Sequence, residues 1–187
     1  MEQRHWPSSQ KELSAGPIKV RVATIEHIFN AMDPTPLEER TLNWEVADWI
    51  EEWAEDLGGN KPLTIEIHLT EGTAGERGEA VARGLHNHFE YREWQVGRQL
   101  GKLLREGRIS LVIGLVALTV FISLSRLIGA DANPVLDVVH EGLTVLGWVS
   151  MWKPLQIFLY EWWPIRRERT ACRRLAEAEV RFVSAAR

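Results

Sequence analysis

The sequence predicts an α+β membrane protein. Its parts are a small cytoplasmic strand–helix–strand module, a long stalk helix, an antiparallel hairpin of two transmembrane helices and a C-terminal amphipathic helix. Three observations predict it. Residues 109–125 read ISLVIGLVALTVFISLS without a charge, and residues 142–160 form a second apolar run broken only by Lys153. At a rise of about 1.5 Å per residue, about 20 residues cross a hydrocarbon core of roughly 30 Å. Residues 18–69 carry two stretches of strand alternation around one helical period. Bases gather on the outer flanks of the apolar runs and are missing between them.

Composition narrows the function classes. The 187 residues hold 22 Lys and Arg against 26 Asp and Glu, a net charge of −4, so the basic footprint of a nucleic-acid binder is absent. A single cysteine, Cys172, excludes a disulfide framework and a cysteine-only metal cluster. The charge is divided unevenly. Residues 1–108 hold 13 bases and 19 acids, whereas residues 109–187 hold nine and seven. An acidic domain is held off an anionic leaflet while basic flanks are drawn to it.

Residues 1–17 are polar, lack an apolar h-region and read as extended or disordered. The module occupies 18–78. Ile18, Val20 and Val22 alternate with Lys19 and Arg21, a half-buried strand that ends or bulges near Thr24. Two prolines, Pro34 and Pro36, keep the next stretch irregular. Asn43 then caps a helix through Leu57, with Val46, Trp49, Ile50, Trp53, Ala54 and Leu57 on its apolar face, and Gly58-Gly59 stops it. Leu63, Ile65, Ile67 and Leu69 alternate with polar residues in a second strand. Thr73 and Glu76 have capping-box spacing.

Residues 79–108 form the stalk helix, which runs directly into transmembrane helix 1 at 109–130. An external loop at 131–137, transmembrane helix 2 at 138–163 and a cytoplasmic tail helix at 164–187 complete the chain. The tail helix turns Ala171, Leu175, Ala178, Phe182 and Ala185 inward. Five bases lie in 92–108 and seven in 164–187, while the loop has two acids and no base, so both termini face the cytoplasm. Trp162 and Trp163, followed by Arg166 and Arg167, form an interfacial anchor.

A turn centred between Asn133 and Pro134 makes facing residue numbers sum to about 267. Arg126 then faces Glu141, either as an ion pair or as two charges that snorkel independently. Ser110, Gly114 and Ala117 make a small-residue packing stripe facing residues 150–157. Lys153 falls near mid-bilayer, opposite Gly114, at an insertion cost of roughly 2.5 to 3.5 kcal/mol. It either faces protein and water beside the carbonyl that Pro154 frees, or snorkels to the cytoplasmic interface.

Two strands are too few for a free-standing sheet. The missing strands must come from the N-terminal segment, a second copy or a partner, and self-association is expected. No P-loop, G-x-G-x-x-G, G-x-S-x-G or H-E-x-x-H motif is present. His86 and His88 point about 200° apart on a helix and cannot share an ion. No cofactor, metal or catalytic residue is expected. Asp33, Glu38, Glu39, His27 and His68 are what a hydrolase or metal enzyme would have to use. Cys172 lies among arginines that would lower its pKa. Glu45, Asp48, Glu51, Glu52, Glu55 and Asp56 give this helix an acidic surface without a base, either simply solvated or able to dock a basic partner, with Glu45, Asp48, Glu52 and Glu55 the docking candidates.

Residues 28–42, IFNAMDPTPLEERTL, and residues 152–164, WKPLQIFLYEWWP, carry a resemblance. Together they resemble a family of bacterial inner-membrane proteins. That family pairs an "FN-x-x-DPSPF-x-ER-DL"-like element and a helix with a two-span hairpin ending in "W-x-P-L-x-x-x-LY-x-WWP". Leu37 stands in place of Phe and Thr41 in place of Asp. The likeness covers about residues 18–170 and implies this architecture in a bacterial inner membrane; it implies no activity. The expected function is a non-enzymatic, homo-oligomeric scaffold or channel-like assembly in contact with membrane lipid. The alternative is an accessory subunit that docks a protein partner through the acidic helix and the open sheet edge.

Overall fold

A computed structural model describes residues 16–59, 61–70, 75, 77–128 and 133–184. The expectations for residues 1–15, for a cap at Thr73 and Glu76, for the turn at 129–132 and for Ala185 lie outside these residues. The order is strand β1 (Ile18–Val22), a 3-10 turn (Ile25–Ile28), helix α1 (Trp44–Asp56), strand β2 (Thr64–Leu69) and helix α2 (Arg77–Ile128). Helix α3 (Pro134–Ser150), helix α4 (Trp152–Gln156), a π-helical turn (Ile157–Glu161), helix α5 (Trp162–Ala176) and strand β3 (Glu179–Ser184) follow. The chain divides into two compact units, Met1–Val96 with Arg167–Arg187, and Gly97–Arg166.

The first unit is built on a three-stranded parallel sheet in the order β1-β2-β3. Ile18, Ile65 and Val180 share one row, and Val20, Ile67 and Phe182 the next. Their common face is covered by Ile50 and Ala54 of α1, Val81, Leu85 and Phe89 of α2, and Ala171 and Leu175 of α5. The helical period of α1 and the alternation of β1 and β2 produce these elements as the sequence predicts. Asn43 caps α1, its Oδ1 accepting from the Glu45 N–H at 3.0 Å. Gly58 and Gly59 take φ of 46° and 71°, a region that only glycine enters freely. Gly84 lets α2 lie close to the 29–37 loop, since a Cβ there would stand 2.6 Å from the Leu37 carbonyl oxygen.

The third strand corrects two expectations. The tail helix ends at Ala176, and the chain turns through Ala178 into β3. The missing strand is therefore supplied by the chain's own C-terminal segment, not by a second copy. Val180, Phe182 and Val183 favour a strand, and Ala178, buried in both readings, had made the helical spacing continue past its true end.

In the second unit, α2 continues without interruption as far as Ile128. It packs antiparallel to α3: Gly114 meets Ser150, and a Cβ on Gly147 would touch Leu118. Those pairs sum to 264 and 265, close to the expected register. Helix α3 starts at Pro134 rather than 138, because Asn133 accepts from the Val135 N–H and Pro134 pre-sets the first turn. Residues 138–163 are not one helix. Pro154 has no N–H for the Ser150 carbonyl, so α3 stops at Ser150, α4 restarts after Met151, and the π-helical turn precedes α5.

Candidate functional site

The second unit's surface is its distinguishing property. Helix α2 is long and apolar enough to cross a membrane, and only 11% of its most apolar 18-residue stretch is buried. Ile113, Val116, Val120 and Leu127 are all exposed, as are Val138, Val149 and Trp152 on the partner helices. A core helix of a water-soluble domain would hide such side chains, and a contiguous apolar surface of this extent marks a membrane or protein contact.

Inside this apolar unit sits one dense polar knot. Ser125, 2% exposed, lies 2.9 Å from His140 Nδ1 and 3.0 Å from both the His140 carbonyl and Thr144 Oγ1. His140 Nδ1 is 2.7 Å from the Ser125 carbonyl, which can only accept, so Nδ1 carries the proton. A histidine donating through Nδ1 cannot deprotonate Ser125, and the knot is a helix-to-helix clasp. It lies one residue away on each helix from Arg126 and Glu141, for which an ion pair and two independent charges were the alternatives. Arg126 and Glu141 are both exposed and form no ion pair with each other. The register error is small, but 100° of helix rotation per residue turns both charges outward.

The small-residue stripe is used within the chain. Gly114 receives the Ser150 hydroxyl on its carbonyl at 3.2 Å, and a Cβ there would stand 2.8 Å from the Ser150 carbonyl oxygen. Ser110 bonds back to Gly107, and Ala117 is half-buried. Gly107 itself, absent from the predicted stripe, admits Ile157 of the π-helical turn. Lys153 does not face Gly114. Its side chain is 61% exposed and its Nζ lies 3.2 Å from Glu161 Oε1. Trp162 donates to the Phe158 carbonyl at 2.7 Å, with the Arg166 guanidinium 5.7 Å from its ring centroid. Trp163, Arg166 and Arg167 are exposed.

In the first unit the predicted acids separate into two sets. Glu45, Asp48 and Glu52 are exposed and form no ion pair among the described residues. Glu55 is half-buried, and burial followed by nearby Glu168 raises its pKa. Glu51, read as part of the same acidic surface, is 8% exposed and lies 3.2 Å from Arg92 Nε. Burial pushes its carboxyl above the usual range, against the pull of Arg92. Arg92 also meets Glu168 at 3.2 Å, joining α1, α2 and α5. Cys172 is fully buried beside this cluster. Burial first, then Glu51 and Glu168, push its thiol up to about 12, opposite to the lowering expected from its arginine neighbours in sequence.

Of the residues that an enzyme reading would need, Asp33, Glu38 and His27 have partners of their own. Asp33 accepts four hydrogen bonds, from the N–H and hydroxyl of Thr35 and of Thr41, which hold its carboxyl well below the usual range. Thr41, standing where the resembled family has Asp, is thus half of a loop clamp. Glu38 pairs with Arg83 at 2.8 Å, and His27 bonds Thr24 in the 3-10 turn. His68 lies 3.6 Å from Glu66, and Glu39 is exposed. His86 bonds the Ala178 carbonyl at 2.8 Å. Among the described residues no group of three or more His, Cys, Asp or Glu side chains is arranged to hold a metal ion. Comparison with protein-family models, with curated proteins and with solved structures returns no match.

Proposed function

We propose that this is an integral membrane protein whose second unit crosses the lipid twice and anchors the α/β unit at the cytoplasmic face as a docking platform. The observation that carries the reading is the apolar α2 segment left almost wholly unburied by its own chain. A second support is topological. Strand β3 is paired with β2, so the chain leaves the first unit after Val96 and returns to it at Arg167. A single crossing would separate strands that share hydrogen bonds, so the number of crossings must be even. Helix α3 alone, at 17 residues and about 26 Å, is too short, but α3, α4 and the π-helical turn together run from Pro134 to Glu161.

The platform role rests on the exposed acids Glu45, Asp48 and Glu52, beside a 70% exposed Trp44. Such a surface suits a basic protein segment. Self-association was expected from the missing strands, and β3 supplies a third strand from the chain itself.

Topology reporters fused after Arg187, before Met1 and within 129–132 test the reading. Cytoplasmic signal at both ends and external signal at the turn are expected. Opposite signals at the two ends, or release of the chain from membranes by alkaline carbonate, would refute it.

A further inference from the structure

Strand β1 lies at one edge of the sheet, with β2 on one side of it and, among the described residues, no strand on the other. The Val22 carbonyl accepts from the Thr70 N–H at 3.1 Å. In a parallel ladder a residue turns its N–H and C=O to the same neighbour, and the direction alternates along the strand. Ile18, Val20 and Val22 therefore bond to β2, while Lys19 and Arg21 turn both backbone groups to the open side. The side chains of Lys19 and Arg21 are exposed on the face of the sheet opposite the core helices.

The core face has a different border. Helix α1 packs across β1. Its Glu51 flank is tied to α2 and α5 through Arg92, so Trp49 and Trp53, on the opposite flank, lie toward the free edge of β1. Both rings are half-buried, with centroids 5.1 Å apart. The edge thus runs between an aromatic ridge on one face and two bases on the other. Glu66, the nearest acid on the bare face, stands one strand further in, between Lys19 and Arg181, whereas Arg21 has His68 as its neighbour across the ladder.

From this we infer that β1 is a docking edge for an extended segment of another protein, which joins the sheet as a fourth strand and carries acids opposite Lys19 and Arg21. A second copy of the chain fits badly. Two β1 strands paired antiparallel set Lys19 against Arg21, and like charges directly opposite each other are destabilising. Acids at those two positions make favourable cross-strand pairs instead. The residue between them points to the helix side, beneath Trp49 and Trp53, and is apolar. Main-chain hydrogen bonds supply affinity in such strand addition, and the alternate side chains supply specificity. The recognised pattern is acid–apolar–acid in an extended chain. All these groups lie in the first unit, so the inference stands apart from the membrane crossing and from the acidic outer face of α1.

The probe is a fluorescent heptapeptide alternating valine and glutamate, titrated by anisotropy against the full chain in detergent. Saturable binding is expected, and the same peptide with lysine for glutamate does not displace it. Arg21→Pro removes an N–H that faces the open edge, where proline is tolerated, and abolishes binding. The double variant Lys19→Glu, Arg21→Glu, at exposed positions, weakens the glutamate peptide about tenfold and gains binding of the lysine peptide. If Arg21→Pro fails to fold, the double variant carries the test. No saturable binding by the wild-type chain, or unchanged affinity in the double variant, overturns the inference. It falls equally if the peptide binds only after residues 1–15 are deleted, which makes that segment the occupant. A wild-type dimer that Arg21→Pro dissociates makes the occupant a second copy, and overturns it too.

Discussion

Arg92 divides its guanidinium between Glu51 and Glu168, carboxylates borne by α1 and α5. Desolvation outweighs this pairing at Glu51, whose pKa is raised. A carboxyl with a folded pKa above its unfolded value of about 4.3 contributes its full stability below that value and loses it as pH rises through the folded pKa. Glutamine imitates the neutral form. Glu51→Gln is therefore expected to melt above the wild-type chain at neutral pH and to converge with it near pH 4; a lower melting point at neutral pH would show that the ion pair prevails. The position was legible. Ala47, Ile50, Glu51 and Ala54 follow the i, i+3, i+4, i+7 stripe that buries the helix. Reading Glu51 by residue type, with its acidic neighbours, concealed it. The reversed sign at Cys172 was not legible, because the carboxylates that surround it are distant in sequence.

At the scale of elements, α1 was readable because cap, apolar period and terminal glycines all agree. Strand β3 was not, because over so short a run Phe182 satisfies a helical period from Ala171 and Leu175 as well as a strand alternation with Val180. The two readings differ at Val180, which the helix would turn outward and the strand packs against the core. Val180→Asp is expected to cost about 2 kcal/mol or more, and Val183→Asp, on the exposed face, much less. Denaturant melts of the solubilised chain give the comparison, and equal costs would argue against the strand. The helix pair of the second unit was legible to within a few residues in register. The break at Met151 was signalled by Pro154, but no local pattern marked the π-helical turn, whose Ile157 lies against Gly107.

For the molecule as a whole, the uneven charge of the two halves anticipated two units, and the tail helix was expected to return along the stalk, but not that its end would add a strand to the first unit's sheet. Parallel partners so far apart leave no local trace. Cys172, the chain's single cysteine, reports on that closure because it sits in the first unit's interior on the returning helix α5. A neutral-pH maleimide is expected to leave it unmodified in the native chain and to label it completely once denaturant opens the first unit. Rapid native labelling would show that α5 is not held in place.

The pairing of Thr64 with Glu179 has a consequence for biosynthesis. When β2 leaves the ribosome, the strand that will flank it is still more than a hundred codons away, and an apolar segment must find its place first. Until β3 has been made, one side of the central strand has bare N–H and C=O groups, the condition under which nascent chains associate wrongly. Final assembly of the sheet therefore waits for Glu179–Ser184, and a chain that stops short of them never completes it.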